Sequence, residues 1–121
     1  MLDYFYGFPW KIELYEDAGG RKLVEEFFDS LEAKANLKIV HALELLKAFG
    51  LEGGYPHIKK LTGTNLWEYR ILGSDNIRML YVSITGRAFL VLHGFKKKKQ
   101  KTPIKEIRIA EKRLQDYLSR K

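Results

Sequence analysis

Residues 65–95 read NLWEYRILGSDNIRMLYVSITGRAFLVLHGF, three β-like runs separated by two short polar breaks. The runs Asn65–Leu72, Asn76–Ile84 and Arg87–Phe95 are rich in aromatic and β-branched residues, the composition that fits a pleated, partly buried surface. Gly73-Ser74-Asp75 and Thr85-Gly86 separate them. Connections this short leave no room for a crossover and imply antiparallel hairpins.

Upstream, Trp10-Lys11-Ile12-Glu13-Leu14-Tyr15 alternates and predicts a strand, which Asp17-Ala18-Gly19-Gly20 ends. Leu23, Val24, Phe27, Phe28 and Leu31 then recur at helical spacing. A second helix is expected from about Glu32 to Phe49 on the stripe Ile39, Val40, Leu43, Leu46, Phe49, with Gly50 at the left-handed closing position. Gly53-Gly54-Tyr55-Pro56 is turn-rich. Downstream, Thr102-Pro103 predicts an N-cap and first helical position. The stripe Ile104, Ile107, Ala110, Leu114, Tyr117, Leu118 gives a C-terminal amphipathic helix. The order β-α-α-β-β-β-α predicts an α+β fold spanning 1–121 as one domain, with helices packed on one face of an antiparallel sheet. The other sheet face would then be free to bind a ligand.

The 121 residues can bury a core without staples, and with no cysteine there are no disulfides or thiolate metal sites. Absent cysteine fits a reducing compartment, so a cytoplasmic location is expected. Met1–Trp10 lacks the basic start and aliphatic run of a signal peptide, and no stretch approaches a membrane span. The net charge of +7 is unevenly placed. Residues 1–86 carry 10 Lys/Arg against 12 Asp/Glu, a net of −2; residues 87–121 carry 12 against 3, a net of +9. Such asymmetry suggests a polyanionic partner, nucleic acid first and an anionic membrane second, with a solubilising tail as the plainer reading.

Alternation puts Glu68 and Arg70 on one strand face and Trp67, Tyr69 and Ile71 on the other. Arg78 lies among Ile77, Met79, Leu80, Tyr81 and Val82. An unpaired charge in so apolar a run is costly. It is there either as an ion pair, with Glu68 the obvious partner, or as a guanidinium set to hold phosphate beside Arg70. His93 ends an apolar run beside the basic loop, as a satisfied strand-end histidine or a proton carrier. His41 reads as a packing or surface residue on its helix, and His57 as a loop residue that could face a ligand. The three histidines lack metal-ligand spacing, so no metal is expected. Walker, GxGxxG and GxSxG motifs are absent, and no cofactor is implied. Lys59 and Lys60 precede the strand with Arg70; Lys96, Lys97, Lys98, Lys99 and Lys101 follow His93. Each reads as a solvated charge, and the set as a phosphate-neutralising surface.

Taken in order, Leu66-Trp67-Glu68-Tyr69-Arg70, Arg78-Met79-Leu80-Tyr81, Leu92-His93-Gly94-Phe95 and Lys97-Lys98-Lys99-Gln100-Lys101-Thr102-Pro103 resemble the phage-derived, HigB-like branch of the RelE/ParE toxin superfamily. Lys96 and Lys99 depart from the apolar and small polar residues expected there, which makes the loop more basic at the same length. The resemblance implies a RelE-like fold and a ribosome-dependent mRNA endonuclease, held inactive by a cognate antitoxin, often a helix-turn-helix protein. On that basis Lys60, Arg70, Arg78 and His93 are candidate catalytic residues. Lys59, Lys96, Lys97, Lys98, Lys99 and Lys101 are candidate RNA contacts. Metal-free cleavage would use the RNA 2′-hydroxyl as nucleophile. A ParE-like gyrase inhibitor on the same fold and a non-catalytic RNA-binding module are the alternatives.

Overall fold

The computed structural model describes residues 9–71, 73, 76–97 and 101–121. The elements in order are β1 (Lys11–Leu14), α1 (Leu23–Asp29), α2 (Ala33–Phe49), a 3₁₀ turn (Gly50–Gly54), β2 (Ile58–Lys60), β3 (Trp67–Ile71), β4 (Ile77–Ile84), β5 (Ala88–Lys96) and α3 (Ile104–Ser119). This is the expected α+β fold, built on a five-stranded sheet of order β1-β5-β4-β3-β2. The β3–β4 and β4–β5 hairpins are antiparallel, as their short connections require.

Three features of the arrangement correct the sequence reading. The sheet is not wholly antiparallel, because β1 pairs parallel with β5, Lys11 opposite Ala88 and Leu14 opposite Val91. The long connection that a parallel pair needs runs through α1, α2, the 3₁₀ turn and strands β2 to β4. A further strand, β2, pairs antiparallel with β3. It is only three residues long, with two lysines, and carries no alternation signal of its own.

The third correction concerns the layers. On β5, the His93 ring meets Glu106 and Arg113 of α3. The next residue, Gly94, lies under the ring of Phe27 from α1, so close that a Cβ would fall 2.5 Å from Phe27 Cδ2. Successive strand residues point to opposite faces. Hence α1 and α3 cover opposite faces of the sheet, and the face expected to be free is partly roofed by α3. The central strands carry the mark of this two-sided cover. Met79, Leu80, Tyr81 and Val82 are all buried, as are Phe89, Leu90, Val91 and Leu92. Continuous apolar runs are the signature of strands buried on both faces.

At the start of α3, Pro103 takes the cap position and no side chain caps the helix. The Thr102 hydroxyl, expected as the cap, instead donates to Glu68 across the sheet. Gly50 has the expected positive φ of 68°, where the indole of Trp10 packs against its α-carbon. Among the described residues, no helix is long and apolar enough to cross a membrane.

Candidate functional site

The register sets the positions. Arg70 on β3 lies directly opposite Arg78 on β4, and Arg78 lies opposite Phe95 on β5. Glu68 lies opposite Leu80, and Leu80 opposite His93. Directly opposed residues share a face. Arg70, Arg78, His93 and Glu68 therefore all sit on the face that α3 partly covers. Two like charges directly opposed across a ladder are unfavourable by themselves. Something must offset them, and Glu68 does.

The Glu68 side chain has no solvent exposure. Its Oε1 is 4.0 Å from Arg78 Nε, and its Oε2 accepts from Thr102. Apart from this ion pair, neither Glu68 Oε1 nor Arg78 Nε has a hydrogen-bond partner among the described residues. Arg78 Nη1 donates to its neighbour's carbonyl at Ile77, 3.2 Å away. Burial lowers the pKa of Arg78 from its ordinary value; Glu68 opposes that shift and Arg70 adds to it. Arg70 is exposed, and its Nη2 donates a long hydrogen bond of 3.3 Å to Pro56 O.

The lysines divide. Lys59 pairs with Glu68 in the register and so joins the arginine cluster, whereas Lys60 pairs with Trp67, one residue out of phase. Lys60 lines a separate cavity with Trp67, Val82 and Leu114. Lys97, expected in a solvated basic loop, is only 5% exposed. Desolvation lowers its pKa, Glu68 pushes it back up, and Arg78, Lys59 and Arg70 push it down. It belongs to the buried charge cluster. Lys96, at the end of β5, and Lys101 are exposed. Lys98 and Lys99 lie outside the described residues.

His93 is held from two sides. Its Nε2 is 2.8 Å from Glu106 Oε1, and its Nδ1 is 3.4 Å from Arg113 Nη1. Burial lowers its pKa from 6.5; Glu106 opposes the shift and Arg113 adds to it. Burial thus favours the neutral form of the ring. In that form the imidazole has one N–H, and because a carboxylate only accepts and a guanidinium only donates, Nε2–H donates to Glu106 and Nδ1 accepts from Arg113. A bulge sits beside it: the partner of Leu80 is His93 but the partner of Tyr81 is Val91, leaving Leu92 unmatched. The Leu92 carbonyl accepts a 2.8 Å bond from Arg113 Nη1. Glu106 and Arg113 escaped the sequence reading. Their signal was an i, i+7 pair on the apolar side of α3, legible only once the helix is laid against β5.

A family profile described as "Phage derived protein Gp49-like (DUF891)" matches residues 26–115. The chain belongs to the Gp49-like family. This is a RelE/HigB-like toxin family. The match covers β2 to β5 and most of α3, and so contains every site residue described above. Among solved structures, the chain is similar to one from an archaeal RelE–RelB complex of Pyrococcus horikoshii OT3, with a TM-score of 0.58. The identity is 16%, and the alignment covers 77% of this chain and 99% of that one. At this identity the likeness establishes a shared RelE-like fold. No curated protein matches the chain.

Proposed function

We propose that this Gp49-like protein is the toxin of a toxin–antitoxin pair and acts as a ribosome-dependent mRNA endonuclease in the cytoplasm. The observation that carries the reading is the cluster of Arg70, Arg78, Lys59 and Lys97 around one carboxylate, Glu68, on a rigid sheet. Four cations against one anion leave a surplus that a phosphodiester would neutralise. Arg70, exposed and directly opposite Arg78, is the group that meets the scissile phosphate; Arg78 supports it from below.

In this reading the 2′-hydroxyl of the RNA loses its proton and attacks the adjacent phosphorus, the P–O5′ bond breaks, and the products are a 2′,3′-cyclic phosphate and a 5′-hydroxyl whose oxygen takes up the proton; the protein orients the nucleophile, carries that proton and stabilises the added negative charge. His93 is the proton carrier, with Glu106 fixing its tautomer as a carboxylate does in a catalytic triad. The lone pair on Nδ1 is engaged by Arg113 at 3.4 Å, a long contact. A bound phosphate competes for Arg113 and frees Nδ1. Lys60 stands apart in the register and contributes charge to RNA approach rather than to the reacting atoms. Lys96, Lys98, Lys99 and Lys101 contact the RNA backbone. The partner is an antitoxin, in keeping with the RelE–RelB complex among the structural neighbours.

The deciding experiment supplies the protein to translating ribosomes and maps mRNA 5′ ends. Cuts at the ribosomal A site that disappear with Arg70→Ala support the reading. Arg70 is the variant of choice because it is exposed, whereas truncating Arg78 leaves Glu68 buried without its partner. Intact mRNA with blocked DNA gyrase would identify a ParE-like inhibitor. Intact RNA with salt-sensitive binding would identify a non-catalytic module.

A further inference from the structure

Tyr15 follows the last residue of β1, and its N–H donates to Val91 O of β5 at 2.9 Å. Its side chain reaches α3 and is only 4% exposed. On that helix Arg113, Asp116 and Arg120 recur at three- and four-residue spacing and so share one side. All three converge on Tyr15. The phenol donates to Asp116 Oδ2 at 2.5 Å. The guanidinium carbons of Arg113 and Arg120 lie 5.6 and 5.9 Å from the ring centroid, close enough for a cation to be attracted to an aromatic face.

The two arginines are held differently. Arg120 has a carboxylate: its Nη2 donates to Asp116 Oδ2 and to Glu16 O, each at 2.7 Å. Arg113 is half-buried, and among the described residues no carboxylate lies within ion-pair distance of it. Its Nη1 donates to Leu92 O at 2.8 Å and to His93 Nδ1 at 3.4 Å. Burial lowers its pKa, and Tyr15 and Asp17 oppose that shift. The ring of Tyr15 is thus the surface that holds the plane of this guanidinium.

We propose that Tyr15 is a positioning residue for His93: its ring holds the Arg113 guanidinium at the β5 bulge, and through Arg113 it governs Nδ1 of the imidazole. The proposal rests on the reading of His93 as the proton carrier. The ring and the Leu92 carbonyl are the two fixed points of Arg113, and the 3.4 Å contact with Nδ1 is the loose one. A guanidinium held at two points gives up the third to a phosphate oxygen without leaving the site. The Nδ1 lone pair is then open to a proton.

Among the described residues two charged groups act on His93, both from α3: Glu106 raises its pKa and Arg113 lowers it. From β4 it faces Leu80, and on its own strand the Phe95 ring stacks on it at 5.4 Å. Moving the Arg113 charge away should therefore raise the His93 pKa. Looser packing alone would also raise it, by hydrating the ring. The shift must therefore be shown to pass through Arg113.

The test follows the His93 imidazole signals of the full chain by NMR across pH, assigned by their loss in His93→Gln. Tyr15→Leu removes the aromatic face. It should raise the His93 pKa and slow mRNA cutting on translating ribosomes by about tenfold. Tyr15→Phe keeps the face and loses only the bond to Asp116. It should cut within about twofold of the wild type and titrate as the wild type does. Arg113→Gln should itself raise the His93 pKa, and adding Tyr15→Leu to it should move the titration no further, because the residue it acts through is gone. Tyr15→Met fills the same space without an aromatic face and replaces Tyr15→Leu should that variant not fold. An unmoved titration in Tyr15→Leu or in Arg113→Gln would overturn the proposal. So would a Tyr15→Leu shift that persists beside Arg113→Gln. A Tyr15→Phe variant as impaired as Tyr15→Leu would overturn it too, giving the role to the Asp116 hydrogen bond. The two assays separate this idea from the nuclease reading. A coupled titration in a chain that cuts no mRNA keeps the hold of Tyr15 on His93 and discards the nuclease. Cutting with an uncoupled titration keeps the nuclease and discards the role of Tyr15.

Discussion

Glu68 holds together charges that would otherwise repel. It is fully buried, accepts from Thr102, and faces Arg78 and the nearly buried Lys97. Breaking a buried pair by removing one partner costs more than the pair contributes, because a charge is left without compensation. Glu68→Ala should therefore lower stability by about 3 kcal/mol in urea denaturation. Glu68→Gln keeps the shape and the acceptor for Thr102 while removing the charge, so its smaller loss measures the electrostatic part alone. A change below about 0.5 kcal/mol for the alanine variant, the ordinary scatter of surface substitutions, would show that the cluster does not depend on this carboxylate. His93 gives a pH effect of known sign. Its folded pKa lies below the unfolded value of 6.5, principally through burial. Below 6.5 the unfolded chain binds a proton that the folded chain resists, so stability falls as acid is added. The contribution is complete above 6.5 and is lost as the pH drops from there through the folded pKa. Comparing unfolding of the wild type and His93→Gln between pH 7.5 and pH 5 isolates it, and parallel curves would contradict the assignment.

Elements show where sequence reading succeeds and where it stops. The helices and the β3–β5 meander were legible because their periodicities and breaks are local. Arg70 and Arg78 could be placed together from alternation and one short turn. The phase of Lys59 and Lys60 could not, since it depends on how a three-residue strand registers against β3. The parallel β1–β5 pair joins residues more than seventy positions apart, and nothing in either segment names its partner. Lys97 looked solvated because it stands in a lysine run, yet Glu68 and the edge of β5 draw it inward. The roof formed by α3 was encoded in the unbroken apolar runs of β4 and β5, which mark two covered faces rather than one. Gly94 carries the packing of α1 in its missing side chain. A Cβ there would fall within 3 Å of two Phe27 ring carbons. Gly94→Ala should cost about 1–3 kcal/mol by overpacking. Adding Phe27→Leu should recover part of that loss, because contacting residues couple. If the two losses simply add in thermal or urea unfolding, the close approach of α1 to β5 is not what Gly94 serves.

At the scale of the whole molecule, the excess of positive charge after residue 86 does not all face a ligand. Arg113 binds the Leu92 carbonyl, Arg120 pairs with Asp116 at 2.7 Å, and Lys97 is enclosed. Lys59 and Arg70, from the more acidic part of the chain, supply exposed charge at the sheet cluster instead. Net charge by segment therefore misplaces the RNA-facing surface, and salt dependence can map it directly. Each cation that neutralises a phosphate releases counterions, and for single-stranded RNA it contributes about 0.7 to the slope of log affinity against log salt. Measured by anisotropy with a single-stranded RNA across a salt series, Arg70→Ala and Lys59→Ala should each reduce that slope by about 0.7, and the double variant by about 1.4. Lys97→Met should leave the slope where it was, since an enclosed ammonium releases no counterion on binding. Were Lys97→Met to flatten the slope as much as Arg70→Ala does, RNA would have to reach the charge that β5 and Glu68 enclose. The cluster would then open when RNA binds, and Arg78 would meet the phosphate directly rather than through Arg70.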